Sequence, residues 1–461
     1  MRVLFIATVT ILTGCQGLVT DMPMEDAGST ETGGGGGATG GGSSTGGGAA
    51  TGGGSTTGGG AATGGGTATG GGTATGGGAA TGGGSTTGGG TATGGGSGFD
   101  AGTDRIPVFV AVGKQWRRAI SCDDGRTWKN DNSIDDTWPM ALRYRCFSGD
   151  FQLPDGGTQS TDCDHNEYSS TSLIHADGVF LQTTGWGAPG RIWRSTDGVA
   201  WTQTDMGSNM TDLMFDDGRF VTATRGSKRS DDLGLTWQMN GDIDVSSGSN
   251  TIWNIRGGTA GGGVFLVTAQ DGTNLDFEFS SNRGMTWQRP TMSGSSARVG
   301  DTCGAGHPAF GNGIFVTISW NQSMSASIVC RSSDGAQTWT SSTIANEYME
   351  SRPLWTGSEF MVWSNGKVHR SADGITWTSM NTQTRRNGTL SGGPNIGAAA
   401  RAENGTFVGV KGGWQVWYDQ QRFYRSTDGI IWDELALPNY TQGHPITAMA
   451  AGFASRSAVC P

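Results

Sequence analysis

The sequence predicts an all-β fold, a seven-bladed β-propeller over residues 99–461, placed behind an export signal at 1–14 and a flexible Gly/Thr-rich tether at 15–98. Three observations predict it. A segment ending in Trp recurs seven times, and a Phe-bearing apolar segment recurs in step with it. No stretch carries the sustained 3.6-residue apolar stripe that an amphipathic helix requires.

The amino-terminal element has one basic residue, Arg2, ahead of an apolar run from Val3 to Leu12. That run is too short to span a hydrocarbon core of ~30 Å, so it reads as the apolar region of a signal peptide. The tetrad Leu12-Thr13-Gly14-Cys15 resembles the lipobox of bacterial lipoproteins. The resemblance implies cleavage before Cys15, acylation of its thiol and new amino group, and attachment by several acyl chains where one alone is marginal. Gln16 in place of Asp implies outer-membrane destination, periplasmic or cell-surface exposed. The alternative is an ordinary secretory signal with Cys15 near the cut. No later run of 18 apolar residues is present to cross a bilayer.

The tether follows. TGGG recurs every six residues from Thr39 to Thr93, and no charged residue lies between Glu31 and Asp100. Such a chain buries too little to offset its ordering entropy and behaves as a coil with an r.m.s. span of roughly 40–50 Å. It accounts for much of the chain's 84 glycines in 461 residues. The formal charge of −10, from 30 basic and 40 acidic residues, leaves no electrostatic footprint for nucleic acid.

The repeating element ends in Trp128, Trp201, Trp237, Trp287, Trp339, Trp377 and Trp432, at a mean interval of about 51 residues. That interval suits one four-stranded blade. Phe109, Phe180, Phe220, Phe265, Phe315, Phe360 and Phe407 each precede one of these tryptophans within a period-2 apolar stretch such as IFVTIS (314–319), a buried strand. An Asp-bearing turn then leads to the Trp, which is large enough to fill the gap between blades. The segment IPVFVAVG (106–113) lacks an inner strand before it, and the tail HPITAMAAGF (444–453) is a strand lacking partners after it. Pairing the two closes the ring and removes both edges.

These segments resemble the Asp-box (BNR) repeat, S-x-D-x-G-x-T-W, of sialidases, sortilin-type receptor domains and photosystem II assembly factors. Residues 121–128 and 230–237 match in full, 280–287 has Asn282 for Asp, 332–339 has Ala336 for Gly, and three boxes are one residue shorter. The resemblance implies that Asp123, Asp197, Asp232, Asn282, Asp334, Asp373 and Asp428 are structural, on hairpin turns away from the ligand face.

Setting Cys15 aside leaves six cysteines, an even number that reads as disulfides in an exported domain. The pairs expected are Cys146–Cys163, Cys122–Cys460 and Cys303–Cys330. No spacing indicates a metal or cofactor; the cluster Asp162, Asp164, His165 and Glu167 is a solvated acidic loop, with Ca²⁺ binding as the alternative.

A sialidase needs an arginine clamp for the sugar carboxylate and a Tyr nucleophile paired with Glu. Asp104-Arg105-Ile106-Pro107 resembles the R-I-P motif of that family, making Arg105 the one catalytic candidate; Tyr348, near Glu347 and Glu350, and Tyr168, beside Glu167, are the only local Tyr/Glu pairs. No further clamp arginines are assignable. The loops between second and third strands carry Trp116, Trp186, Trp320, Trp363, Trp414 and Trp417, with Tyr418 and Tyr424 in the last blade. Exposed, these offer flat apolar surfaces to a sugar or a protein; the alternative is that several pack between blades. The leading expectation is a monomeric, membrane-tethered module that binds a glycan or an envelope or extracellular protein without chemistry. An exo-α-sialidase and an assembly factor for an envelope complex are the alternatives.

Overall fold

In the computed structural model, each of the seven Phe-bearing segments forms the second strand of its own antiparallel sheet. The structure describes residues 105–113, 117–130, 150–152, 158–160, 170–184, 190–207, 210–243, 246–247, 250–251, 255–271, 274–412, 422–436 and 446–455. The expectations for residues 1–98, for Cys15, Cys146, Cys163 and Cys460, for the acidic loop at 162–167 and Tyr168, and for Trp116, Trp186, Trp414, Trp417 and Tyr418 lie outside them.

The innermost strands of blades two to seven are Ser170–Ala176, Asp212–Asp216, Ile255–Gly261, Pro308–Gly311, Leu354–Trp355 and Ile396–Arg401. Blade one is completed by the tail: Ile446–Ser455 pairs antiparallel with Arg105–Gly113 from Arg105 opposite Ser455 to Gly113 opposite Ile446. It lies innermost, with Arg118–Ser121 and Lys129–Asn130 outward. Its neighbours are the innermost strands of blades two and seven, so the ring is shut. The fold is a seven-bladed β-propeller.

Antiparallel order fixes two ends. Hairpins from first to second strand and Asp-bearing turns from third to fourth lie at one end, called lower here; loops from second to third strand lie at the upper end.

Seven apolar clusters fill the seven seams, one between each pair of adjacent blades. Each holds the repeat Phe and the turn Trp of one blade, against residues of the blade before: Phe109 and Trp128 pack with Val408 and Phe423, and Phe315 and Trp339 with Leu266 and Phe277. The register explains the recurrence. In all seven sheets the Phe stands directly opposite the turn serine, from Phe109 opposite Ser121 to Phe407 opposite Ser426.

The turn itself is a hydrogen-bond cage. Asp123 Oδ1 accepts from Ser121 Oγ (2.8 Å), Arg126 N (3.1 Å) and Thr127 N (2.8 Å), and its Oδ2 from Thr127 Oγ1 (2.6 Å). Asn282 keeps the cage because its amide donates to Thr286 Oγ1 (2.8 Å) where a carboxylate would accept. The one-residue length difference is a backbone difference. In the longer turns two consecutive residues are left-handed, as at Asp124 (φ 63°) and Gly125 (φ 78°); in the shorter ones Gly198, Gly374 and Gly429 do so alone. In the shorter turns Asp197 Oδ1 accepts from Val199 N (2.8 Å) and Ala200 N (2.9 Å), one step closer along the chain. The threonine hydroxyl and amide of Thr236 hold the Asp232 carboxyl down to about 2.

Two connectors depart from the simple repeat. After Gln288 makes a single bridge to Phe279, Pro290 cannot donate to the ladder, and the fourth strand of blade four stops. The chain instead pairs Thr291–Met292 parallel with the outermost strand of blade five, Thr338–Ala345. Likewise the hairpin of Gln383–Arg386 and Thr389–Gly392 adds in parallel to Ile431–Glu434 of blade seven. A five-residue helix, Val299–Cys303, lies between blades four and five. Its Cys303 forms a disulfide with Cys330 (Cα–Cα 5.7 Å), as expected from the sequence. Cys122 is disulfide-bonded as well.

Candidate functional site

Seven inner strands of different blades converge on the axis, and three of them are rich in small residues: IGAAAR, IRGGTAG and ITAMAAGFAS. They surround a cavity of about 1320 Å³. Its most deeply buried polar groups stand at or just before the upper ends of inner strands.

Asp212 heads the inner strand of blade three and is almost wholly buried, its side chain 4 % exposed. Its Oδ1 accepts from Leu213 N (3.0 Å), and its Oδ2 from Gly258 N of blade four (3.2 Å). The same Oδ2 accepts from Arg352 Nη1 at 3.0 Å. Arg352 precedes the inner strand of blade six, three blades round a ring of seven, so this ion pair crosses the axis. A single carboxylate thereby ties blades three, four and six.

His307 precedes the inner strand of blade five. Burial, with the guanidinium groups of Arg352 and Arg256 nearby, holds its imidazole well below the usual range, so it is neutral at pH 7. Its Nδ1 is buried without a hydrogen-bond partner among the described residues. Arg256 is exposed on the cavity wall.

The upper rim carries an aromatic pair. Trp320, near the end of the second strand of blade five, is 37 % exposed, and Tyr348, in the connector to blade six, is 59 % exposed; their rings lie 6.2 Å apart at 58°. Both line the cavity with Glu350. The mouth thus combines flat apolar area, exposed guanidinium groups and a carboxylate, a combination suited to grip a ligand with both apolar and charged parts.

The structure sorts the sequence candidates. Trp320 occupies the mouth. Trp363 does not: it lies within the strand Phe360–Ser364, fully buried toward blade seven, where its Nε1 donates to Gly429 O (2.9 Å) and its ring meets Trp432 edge-on at 5.7 Å. Tyr424 is buried in the same seam. The loop assignment for Trp363 fails because the strand is short: it turns at Asn365-Gly366 only five residues after Phe360, and Trp363 stays within the seam. Arg105 begins its strand opposite Ser455, at the lower end of the closing sheet, away from the mouth.

Among the described residues three arginines line the cavity, and they do not converge: Arg256 and Arg352 stand in the upper half, Arg401 ends its inner strand at the lower end. Nor is Glu347 available to Tyr348. Its carboxylate is held by Lys367 Nζ (3.1 and 3.2 Å) and by His369 Nε2 (3.3 Å).

Sequence reasoning missed Asp212, Arg256, His307 and Arg352. A signal was present: Pro308, Pro353, Pro394 and Pro445 each fall within two residues of an inner strand's start, and two follow His307 and Arg352 directly. A residue before proline is kept extended, which suits a side chain leading into a strand.

No protein-family model matches the chain, and no curated protein matches it. Solved structures do. The chain is similar to YCF48 from Cyanidioschyzon merolae, at 13 % identity and a TM-score of 0.41, over 64 % of this chain and 89 % of that one. It is also similar to a quinonprotein alcohol dehydrogenase-like protein from Bacteroides thetaiotaomicron, at 10 % identity and a TM-score of 0.41, over 74 % and 77 %. A third likeness is to the computationally designed Ika8 protein, at 15 % identity and a TM-score of 0.36, over 74 % and 88 %.

Proposed function

We propose that this chain is an Asp-box propeller of a bacterial envelope, exported and lipid-anchored at Cys15, whose upper mouth binds a glycan or an envelope or extracellular protein without chemistry. The observation that carries the reading is the exposed Trp320–Tyr348 pair at the rim of a cavity that also presents Arg256. Exposed aromatic rings beside guanidinium groups are the side chains that dominate recognition surfaces. The separation of the cavity arginines, and the engagement of Glu347 by Lys367 and His369, favour recognition over glycoside cleavage. The cages around Asp123, Asp197, Asp232, Asn282, Asp334, Asp373 and Asp428 support the Asp-box reading, since each side chain is bonded within its own turn. The Cys303–Cys330 disulfide supports an oxidising compartment.

The test is a glycan array and an envelope-protein pull-down with the wild-type chain and with Trp320→Ala and Tyr348→Ala. A ligand held by the wild type and weakened about tenfold or more by either substitution supports the reading. A ligand held equally by all three, or none for the wild type, overturns it. Metabolic labelling with a fatty acid, lost in Cys15→Ser, tests the anchor separately.

A further inference from the structure

Away from the channel, the seam between blades five and six aligns a hydroxyl, an imidazole and a carboxylate. His369 lies in Lys367–Ser371 and is fully buried; its register partner on the outermost strand, Thr378–Asn381, is Ser379. Directly opposed residues share a sheet face, and His369 Nδ1 lies 2.7 Å from Ser379 Oγ. The other ring nitrogen, Nε2, lies 3.3 Å from Glu347 Oε1 and 3.0 Å from Ser364 Oγ.

This geometry selects a tautomer. An ionised carboxylate accepts hydrogen bonds and donates none, so a lone pair on Nε2 would face its charge. The ring proton therefore sits on Nε2, shared between Glu347 and Ser364, and Nδ1 keeps the lone pair that accepts from the Ser379 hydroxyl. Glu347 is itself steadied by Lys367 Nζ. Burial pulls the imidazole below its usual value; Glu347 opposes this and Lys367 reinforces it, and these are the charged groups that face the ring. The ring is neutral at pH 7 and competent to take a proton. Ser379 is exposed, so a reagent can reach it.

We propose that Ser379 is an activated nucleophile that forms covalent adducts with acyl and phosphonyl electrophiles, with His369 as its general base and Glu347 as the residue that positions the base. With a fluorophosphonate, Ser379 Oγ attacks phosphorus, an O–P bond forms, the P–F bond breaks and fluoride leaves. The hydroxyl proton passes to His369 Nδ1, and the resulting imidazolium is stabilised by Glu347. The site is separate from the mouth and stands whether or not the mouth binds a ligand.

The experiment treats the full chain with a fluorophosphonate probe and measures site-by-site labelling by peptide mass spectrometry. Ser341 and Ser342, exposed on the outermost strand of blade five, are internal references. General-base assistance of this kind is worth roughly 10²–10⁴-fold, so Ser379 is expected to label at least about tenfold faster than either reference. Because the base is already neutral at pH 7, its labelling rate stays flat from pH 7 to 9. An unassisted hydroxyl would accelerate with the growing alkoxide fraction, about tenfold per pH unit. Glu347→Gln should slow labelling about tenfold while leaving Ser379 and His369 in place. Labelling of Ser379 at the reference rate, or a rate climbing with pH as the references do, overturns the proposal with no variant needed, and leaves His369 as a clamp between strands.

Discussion

Seam packing can be separated from backbone strain by comparing two glycines with the same φ. Gly178, in the first hairpin of blade two, and Gly198, in its Asp-bearing turn, both have φ of 78°. An alanine pays ~1–2 kcal/mol for the left-handed region at either site. Their surroundings differ. A Cβ at Gly178 meets nothing within 4 Å, whereas one at Gly198 would lie 2.9 Å from Val110 Cγ2 and 3.2 Å from Val108 Cγ1 of blade one. Both valines are fully buried and β-branched, with little rotamer freedom for retreat, so overpacking adds ~1–3 kcal/mol. Gly178→Ala is therefore expected to cost about 1–2 kcal/mol, and Gly198→Ala about 2–5 kcal/mol. Urea unfolding of the full chain, followed by tryptophan fluorescence and circular dichroism together, measures the difference, with coincident transitions and constant m as the check. Adding Val110→Ala to Gly198→Ala removes the atom in the way and should recover part of the loss, a non-additivity that Gly178→Ala would not show. Equal costs for the two glycine substitutions would refute the claim that blade-to-blade contact, rather than the turn, makes this position exacting.

Acid sensitivity should track the turns. The folded value for Asp232 is depressed to about 2 from 3.8, and Asp123, Asp334, Asp373 and Asp428 are shifted in the same direction, so their contribution is complete above pH ~4 and is lost as pH falls toward 2. Urea midpoints measured from pH 5 to 2 should fall, and fall less steeply for Asp232→Asn, which titrates no proton and keeps the pattern that Asn282 already uses. Arg352→Ala leaves the buried Asp212 carboxylate with backbone donors alone and is expected to cost up to about 3 kcal/mol, the lower part of the range for a broken buried pair because Arg352 is 39 % exposed; calorimetry of Arg352→Ala with and without Asp212→Asn should show the double variant regaining stability. Ending the chain at Leu437 removes the inner strand of blade one and should abolish cooperative unfolding; a soluble fragment with a sharp transition would mean that the ring does not need it.

Blade number, seam composition and closure were readable because they rest on periodic local chemistry. The Phe–Trp spacing reports a register that all seven sheets obey, and the unpartnered apolar segments at either end of the domain could bury their edges only against each other. The site was less readable. Trp320 and Trp363 look alike in sequence and each is next to last in its strand, but Trp320 stands five residues past its repeat Phe and reaches the rim, whereas Trp363 stands three past and stays within a seam. Asp212 and Arg352 are 140 positions apart; the proline after Arg352 marks a strand entry, but nothing local marks the two as partners until ring closure brings blades three and six across from each other. The parallel additions at Thr291–Met292 and Gln383–Arg386 were invisible for a related reason: both are short, without the alternation that marks a strand.

The register of Arg105 opposite Ser455 sets how the molecule can be handled. Arg105 and Ser455 lie side by side at the lower end of the ring, among the hairpins, while the aromatic rim faces the other way. A bead, a biosensor chip or a fluorescent reporter joined directly at Arg105 or Ser455 is therefore attached on the face opposite the rim. With attachment at that face, a fall in ligand capture on immobilisation would have to come from something other than a blocked doorway.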